Sequence, residues 1–239
     1  MSNNILSYGI LVAMPEEFSV LENLIVNPSR VKIGLREIIT GEINNKPVFL
    51  TLTGIGKVAS TLGAAILCNH FNVSNLIVTG VAGGVGDNIH VGDFVVAKSL
   101  IQHDIDASPV PPFEKFEIPS LRKKYFETDV ELSKKAIAGL DNYLKDKKHN
   151  VHSGIIASGD QFIASQEVVK SLSELIPGLS AIEMEGAAVA QVGYEMNVPV
   201  VVARCISDKG DEHAPGGFME FIKEYAAPAS AEIVRAVTG

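Results

Sequence analysis

The chain has 239 residues, 46% apolar and 20% charged, with 21 glycines and a formal net charge of −8. That length buries a substantial core, and the composition is that of a compact α/β protein rather than a disordered one. The excess of acid excludes nucleic acid or an anionic membrane surface as the main partner, and no apolar run approaches the roughly 20 residues of a membrane span.

Cys68 and Cys205 both lie in apolar segments and read as small core residues in a reducing compartment. The start, MSNNILSYGI, has no basic region and no long apolar stretch, so no signal peptide and a cytoplasmic location are expected. The short clusters Arg122-Lys123-Lys124 and Lys145 to Lys148 read as solvated helix faces.

Tyr8 to Met14 forms a first buried strand. Pro15-Glu16-Glu17-Phe18 then starts a helix, with proline near its first position and acids in its first turn. This places Glu16 or Glu17 at the carboxyl end of strand one. Val31 to Ile39 and Lys46 to Leu52 predict two strands joined through Gly41 and Asn44-Asn45. Thr51 to Ser60 is a strand, a glycine turn and a helix start, but GIGK has neither nucleotide-loop spacing. A helix over Lys57 to Phe71 leads to a strand at Asn75 to Thr79. The glycine cluster Gly80 to Asp87 follows, where backbone can approach a ligand closely, and then a strand over Val91 to Ala97.

His103-Asp104-Ile105-Asp106 puts a histidine among acids, yet no partner stands at a usual ligand spacing, so no metal is expected. The proline-rich loop after it, within residues 103–119, reads as a lid or a subunit contact. Phe126 to Lys145 is an amphipathic helix, and Val151 to Ser158 a strand running into Gly159-Asp160-Gln161-Phe162-Ile163. An aromatic there can stack on a planar base or simply fill core.

Ala181 to Asp211 is the densest stretch. Glu183 and Glu185 share a face in extended backbone, and the small-residue helix from Gly186 favours an ionised acid at its start. Val198 to Ile206 is a nearly continuous apolar strand, which leaves Ser207-Asp208 at its carboxyl end, where α/β proteins build sites. Taken alone, the acids also fit a helix-start charge and a turn. A helix over Phe218 to Val237 closes the chain. Strands alternating with helices over a single domain, 1–239, predict an α/β fold, a three-layer α/β/α arrangement around a central mixed sheet.

GILVAMPEE, LTGIGKVAS, TGVAGGVGDNIHVGDFVV, HDID, SGDQFI, AIEMEGAAVAQV and VPVVVARCISDKGD occur in that order along nearly the whole chain. Together they resemble the nucleoside phosphorylase/nucleosidase superfamily, most closely its 5′-methylthioadenosine/S-adenosylhomocysteine nucleosidases. The resemblance implies a nucleoside phosphorylase-like fold and an adenine-releasing hydrolase that needs no cofactor and no metal. It implies a small-molecule purine nucleoside as substrate and a homodimer as assembly.

By the same resemblance Glu17 is the general base on the attacking water, and Asp208 the acid that protonates adenine N7, with Ser207 orienting it. Glu185 holds the ribose hydroxyls, with Glu183 and Met184 beside it, and Met14 and Val81 line the sugar side. Phe162 stacks on the purine, the Ile163 backbone reads its edge, and Phe218 lines the 5′ substituent. The chemistry fits these residue types: a leaving purine needs a protonated donor, and an oxocarbenium-like sugar an ionised acid nearby.

Two positions depart from the family pattern. Val81 stands where a small polar residue is usual, and the loop SPVPPFEKFEIP offers Val110 or Phe113, or neither, for the aromatic that reaches a partner's site. The turn after strand one and TGVAGGVG hold no arginine, which favours hydrolysis over a phosphate-dependent phosphorylase. A futalosine or aminodeoxyfutalosine type hydrolase and a non-catalytic binding protein of the same fold are the other readings.

Overall fold

The computed structural model describes residues 6–211 and 221–239. Ten strands form one mixed sheet: β1 (Tyr8–Val12), β2 (Val26–Ile33), β3 (Arg36–Ile43), β4 (Lys46–Leu52), β5 (Asn75–Gly84), β6 (Phe94–Gln102), β7 (Tyr125–Glu127), β8 (Val151–Ser158), β9 (Leu179–Glu183) and β10 (Val200–Asp208). Among the described residues the helices are α1 (Pro15–Glu22), α2 (Lys57–Phe71), α3 (Val130–Tyr143), α4 (Gln166–Leu175), α5 (Gly186–Met196) and α6 (Ala227–Thr238). A π-helical turn, Ile222–Ala226, leads into α6.

The sheet runs β2-β3-β4-β1-β5-β10-β6-β8-β9. It then turns back on itself, because β9 pairs with the last residues of β5 through Gly83↔Ile182 and Gly84↔Ala181. Five strands, β5, β10, β6, β8 and β9, therefore close a ring, and β1 to β4 extend from it as an open wing. The helices cover both faces. α1, α3 and α6 share one core with Leu21, Leu140 and Val234, and α2 and α5 the other with Leu67 and Val189. α4 packs on β8 and β9 through Val169 and Leu172. The three-layer α/β/α arrangement is thus realised, with part of its sheet rolled closed. The continuous apolar character of β10 follows from burial on both faces.

α2 and β8 fall on the residues expected. The segment Val31 to Ile39 is not one strand: a turn at Gly34-Leu35 divides it, and Ile33 pairs with Arg36 across the turn. Gly41 lies inside β3 rather than at a turn, while Asn44 and Asn45, both at positive φ, make the predicted second turn. β2, the exposed edge strand, accommodates Pro28 because an edge tolerates a missing donor. β5 runs on through Gly84, so the glycine cluster is mostly strand. β6 starts only at Phe94, after a turn at Gly92, and reaches Gln102. The helix expected from Phe126 begins at Val130, where Asp129 caps it by accepting the Leu132 N–H at 2.9 Å. Phe218 lies outside the described residues. Among the described residues no helix is long and apolar enough to cross a membrane.

Candidate active site

β1, β5 and β10 are mutually parallel, β1 beside β5 and β5 beside β10, so their carboxyl ends share one edge. The antiparallel crossing of β5 and β9 brings the end of β9 to the same place. A cleft of about 750 Å³, counted out to its mouth, opens there.

Helix α1 starts two residues after β1, and of the two acids in its first turn Glu17 is the buried one. It is fully buried, and neither carboxylate oxygen meets a hydrogen-bond partner among the described residues. Burial pushes its carboxyl from the ordinary 4.5 up to about 7, against the pull of the Arg204 guanidinium.

Glu183 ends β9, and Glu185 begins α5. Glu183 lines the cleft, but its oxygens are committed to the interior. They accept the Ser158 hydroxyl, the Gly186 N–H at 2.8 Å, the Glu185 N–H at 3.1 Å and the Arg204 guanidinium. It anchors the start of α5 rather than offering a free acceptor. Glu185 accepts the Gly56 N–H at 2.9 Å on one oxygen and Arg204 Nη2 at 3.3 Å on the other. Burial lifts its carboxyl from 4.5 to about 7, with Arg204 opposing and Glu183 adding to the rise.

Arg204, in the middle of β10, holds this cluster together. It is 1% exposed, and besides its two acids it donates to Thr79 O at 3.3 Å. Burial works against its charge, but Glu183, Glu185 and Glu17 outweigh it and hold the guanidinium protonated. Gly80 is required beside it, since a Cβ there would lie 2.1 Å from Arg204 Nη1. Residue-type reasoning passed over Arg204; the available signal was a single cation inside a strand that is otherwise apolar.

Asp208 ends β10 and lines the same cleft. Its Oδ1 accepts the Gly210 N–H at 2.8 Å and its Oδ2 the Ser207 hydroxyl at 2.8 Å. Met14 and Val81 line the wall near Glu17, Met184 lies between the two acids of its motif, and Phe162 and Ile163 form the wall after β8. Phe162 is half exposed. The residues that the resemblance assigns to the site, Phe218 apart, therefore line one cleft, whereas Glu16, Val110 and Phe113 do not. The site offers a buried carboxyl on α1, a second carboxyl fixed beside a cation, and a third carboxyl at the end of β10. That set can move protons to and from a ligand whose one end is planar and whose other end bears hydroxyls.

Residues 7–238 match the model of the phosphorylase superfamily. A 5′-methylthioadenosine/S-adenosylhomocysteine nucleosidase of Haemophilus influenzae (strain PittEE) is 36% identical over 230 residues, 96% of this chain and 97% of that protein. The chain belongs to the phosphorylase superfamily. The Neisseria meningitidis nucleosidase of the same name, solved with methylthio-immucillin-A, superposes with a TM-score of 0.90 at 32% identity, covering 97% of each chain. A futalosine hydrolase of Helicobacter pylori superposes at 0.87 with 33% identity, covering 99% of this chain and 98% of that one. The enzyme is thus related throughout its length to hydrolases of N-ribosidic bonds.

Proposed function

We propose that this enzyme hydrolyses the N-ribosidic bond of 5′-methylthioadenosine and S-adenosylhomocysteine, releasing adenine and the 5-thio-substituted ribose. The observation that carries the reading is the placement of Glu17, Glu185 and Asp208 around one cleft, each in a distinct environment. Glu17 takes a proton from water as the water oxygen attacks C1′. The C1′–N9 bond breaks, its electron pair passes to the purine, and Asp208 gives its proton to N7. Glu185 holds the ribose hydroxyls and, with its charge, favours the positive character that develops on the sugar. Phe162 stacks on the base, and Ile163 reads its edge through the backbone. Glu183 and Ser207 act by holding Glu185 and Asp208 in place.

Water rather than phosphate is the nucleophile in this reading. The cleft wall is acidic, and its buried arginine is already shared by Glu183 and Glu185, so a phosphate dianion meets repulsion there. A homodimer is part of the proposal: Ile55, Val58, Leu62 and Val110 are exposed apolar side chains, suited to burial against a second copy. Likeness to the futalosine hydrolase supports a second reading, a purine nucleoside with a different 5′ group.

Adenine release from 5′-methylthioadenosine, followed in phosphate-free buffer and again with added phosphate, tests the assignment. Equal rates in both support the hydrolase; turnover only with phosphate makes the enzyme a phosphorylase. No release from this substrate or from S-adenosylhomocysteine, with release from futalosine, selects the second reading.

A further inference from the structure

The HDID run and Lys57 have no part in the chemistry above, yet they meet at the rim of the cleft. β6 and β8 are paired to their last residues, Gln102↔Ser158, and the pairing continues as the His103 N–H donates to Ser158 O at 2.9 Å. One residue on, the Asp104 carboxylate joins separate parts of the chain. Its Oδ2 accepts the Asp160 N–H at 2.9 Å, and its Oδ1 accepts Lys57 Nζ at 2.5 Å. The Lys57 N–H in turn donates to Asp160 Oδ1 at 2.8 Å, and Lys57 Nζ also reaches Gln102 Oε1 at 3.0 Å. Lys57, Asp104 and Asp160 thus close a cycle of hydrogen bonds. The Lys57 and Asp104 side chains are only 17% and 20% exposed. Burial acts to raise the Asp104 carboxyl, but the Lys57 and Asp160 donors outweigh it and hold it below its usual range.

Both arms of this cycle end in the cleft. Lys57 follows Gly56, whose N–H holds Glu185. Asp160 precedes Gln161, Phe162 and Ile163, which form the wall after β8. The geometry points to Asp104 as a positioning residue that locks the entry to α2, and with it the Gly56 donor on Glu185, to the wall bearing Phe162 and Ile163. An exposed lysine–aspartate pair would add little. Here the Asp104 carboxylate also accepts the Asp160 N–H, and the Lys57 N–H donates to the Asp160 carboxylate, so the cycle fixes the spacing of two walls rather than supplying charge. The kinetic consequence rests on the hydrolase reading, whereas the structural one does not. Glu185 is faced by Arg204 from β10, Glu183 from β9, Asp160 from the loop after β8 and Glu17 from α1. Of its neighbours the Gly56 N–H and Asp160 belong to the segments that Asp104 holds, and the Gly56 donor is the stronger influence of the two. Losing that donor disfavours the ionised form of Glu185.

Hydrogen exchange and kinetics on D104N and K57M test this. Amides at 54–57 and 160–163 are expected to exchange faster together, by roughly tenfold or more. For adenine release, kcat falls by about tenfold or more with a smaller change in KM, as a displaced positioning group does. The limb of the kcat–pH profile set by Glu185 moves to higher pH, and the double variant is no slower than the slower single one. Unchanged exchange at both segments overturns the lock, whatever the activity. Faster exchange with wild-type kcat, KM and pH limb overturns the positioning role. Should the wild-type enzyme release no adenine, the functional reading fails and the exchange data still decide the lock; should D104N not fold, K57M carries the same comparison.

Discussion

Replacing Arg204 by methionine keeps a long unbranched side chain in β10 and leaves Glu17, Glu183 and Glu185 without the cation they surround. At an effective dielectric near 20, a unit charge pair at the 3.3 Å of the Arg204–Glu185 contact is worth about 5 kcal/mol. Breaking a buried pair from one side costs roughly 3–5 kcal/mol, because the remaining charge stays buried. For a domain of this size that is a fall in Tm of about 6–20 °C. The pH dependence has a definite sign. Glu17 and Glu185 are lifted in the folded state from 4.5 to about 7. Their contribution to stability is therefore full below 4.5 and is lost as pH rises through about 7. Removing the arginine, which lowers both, raises the two folded values further, so the variant gains more from acid than the wild type does. Thermal melts at about pH 8 and about pH 5.5 should show the larger deficit at the higher pH. A variant within about 2 °C of wild type at pH 8, or a deficit that grows in acid, would refute the electrostatic account of the cluster.

Glu17→Gln should cost roughly 10²–10⁴ in adenine release. It should also melt no lower than wild type at about pH 8, since burial disfavours the charge that the substitution removes. In the wild type, kcat/KM should rise with pH through about 7, as Glu17 must be ionised to act as base; a flat profile there removes that role. Asp208→Asn should lose release to a similar degree while calorimetry still registers nucleoside binding; a retained rate removes the acid assignment. Gly80→Ala places a methyl on the Arg204 guanidinium, and its urea midpoint should fall by an amount equivalent to about 1–3 kcal/mol; an unchanged midpoint contradicts the close approach.

What was readable in the sequence was what repeats at short range. α2 shows in its run of small and apolar residues and stops at Asn72, which ends it in the left-handed conformation. β10 shows as a nearly continuous apolar run. β9 and α4 did not show: LSAIE is too short to declare a period, and its pairing with β8 and β5 is set by distant chain. Val31 to Ile39 misled because apolar alternation continues on both sides of a tight turn. The carboxylates at the strand ends could be placed from the pattern, but alone they also fit a helix-start charge and a turn, and only the family resemblance gave them roles. That Glu183 serves the interior while Glu185 faces the cleft depends on Ser158 and Arg204, from other strands, and no spacing within the motif carries it. The roles of Asp104 and Lys57 were hidden for the same reason, since their partners are 47 positions apart.

The closed ring also sets when the site comes into being. Thr79 and Arg204, which touch inside it, are separated by 125 positions. During synthesis β1, α1, β5 and even α5 emerge before β10 exists, so the acids gather with no countercharge among them and must remain in water. Only when β10 slots between β5 and β6 does the arginine arrive, and with it the means to bury those acids. Such late, long-range closure slows folding. A chain cut short before Val200 therefore carries Glu17, Glu183 and Glu185 without the arginine beside which they are buried.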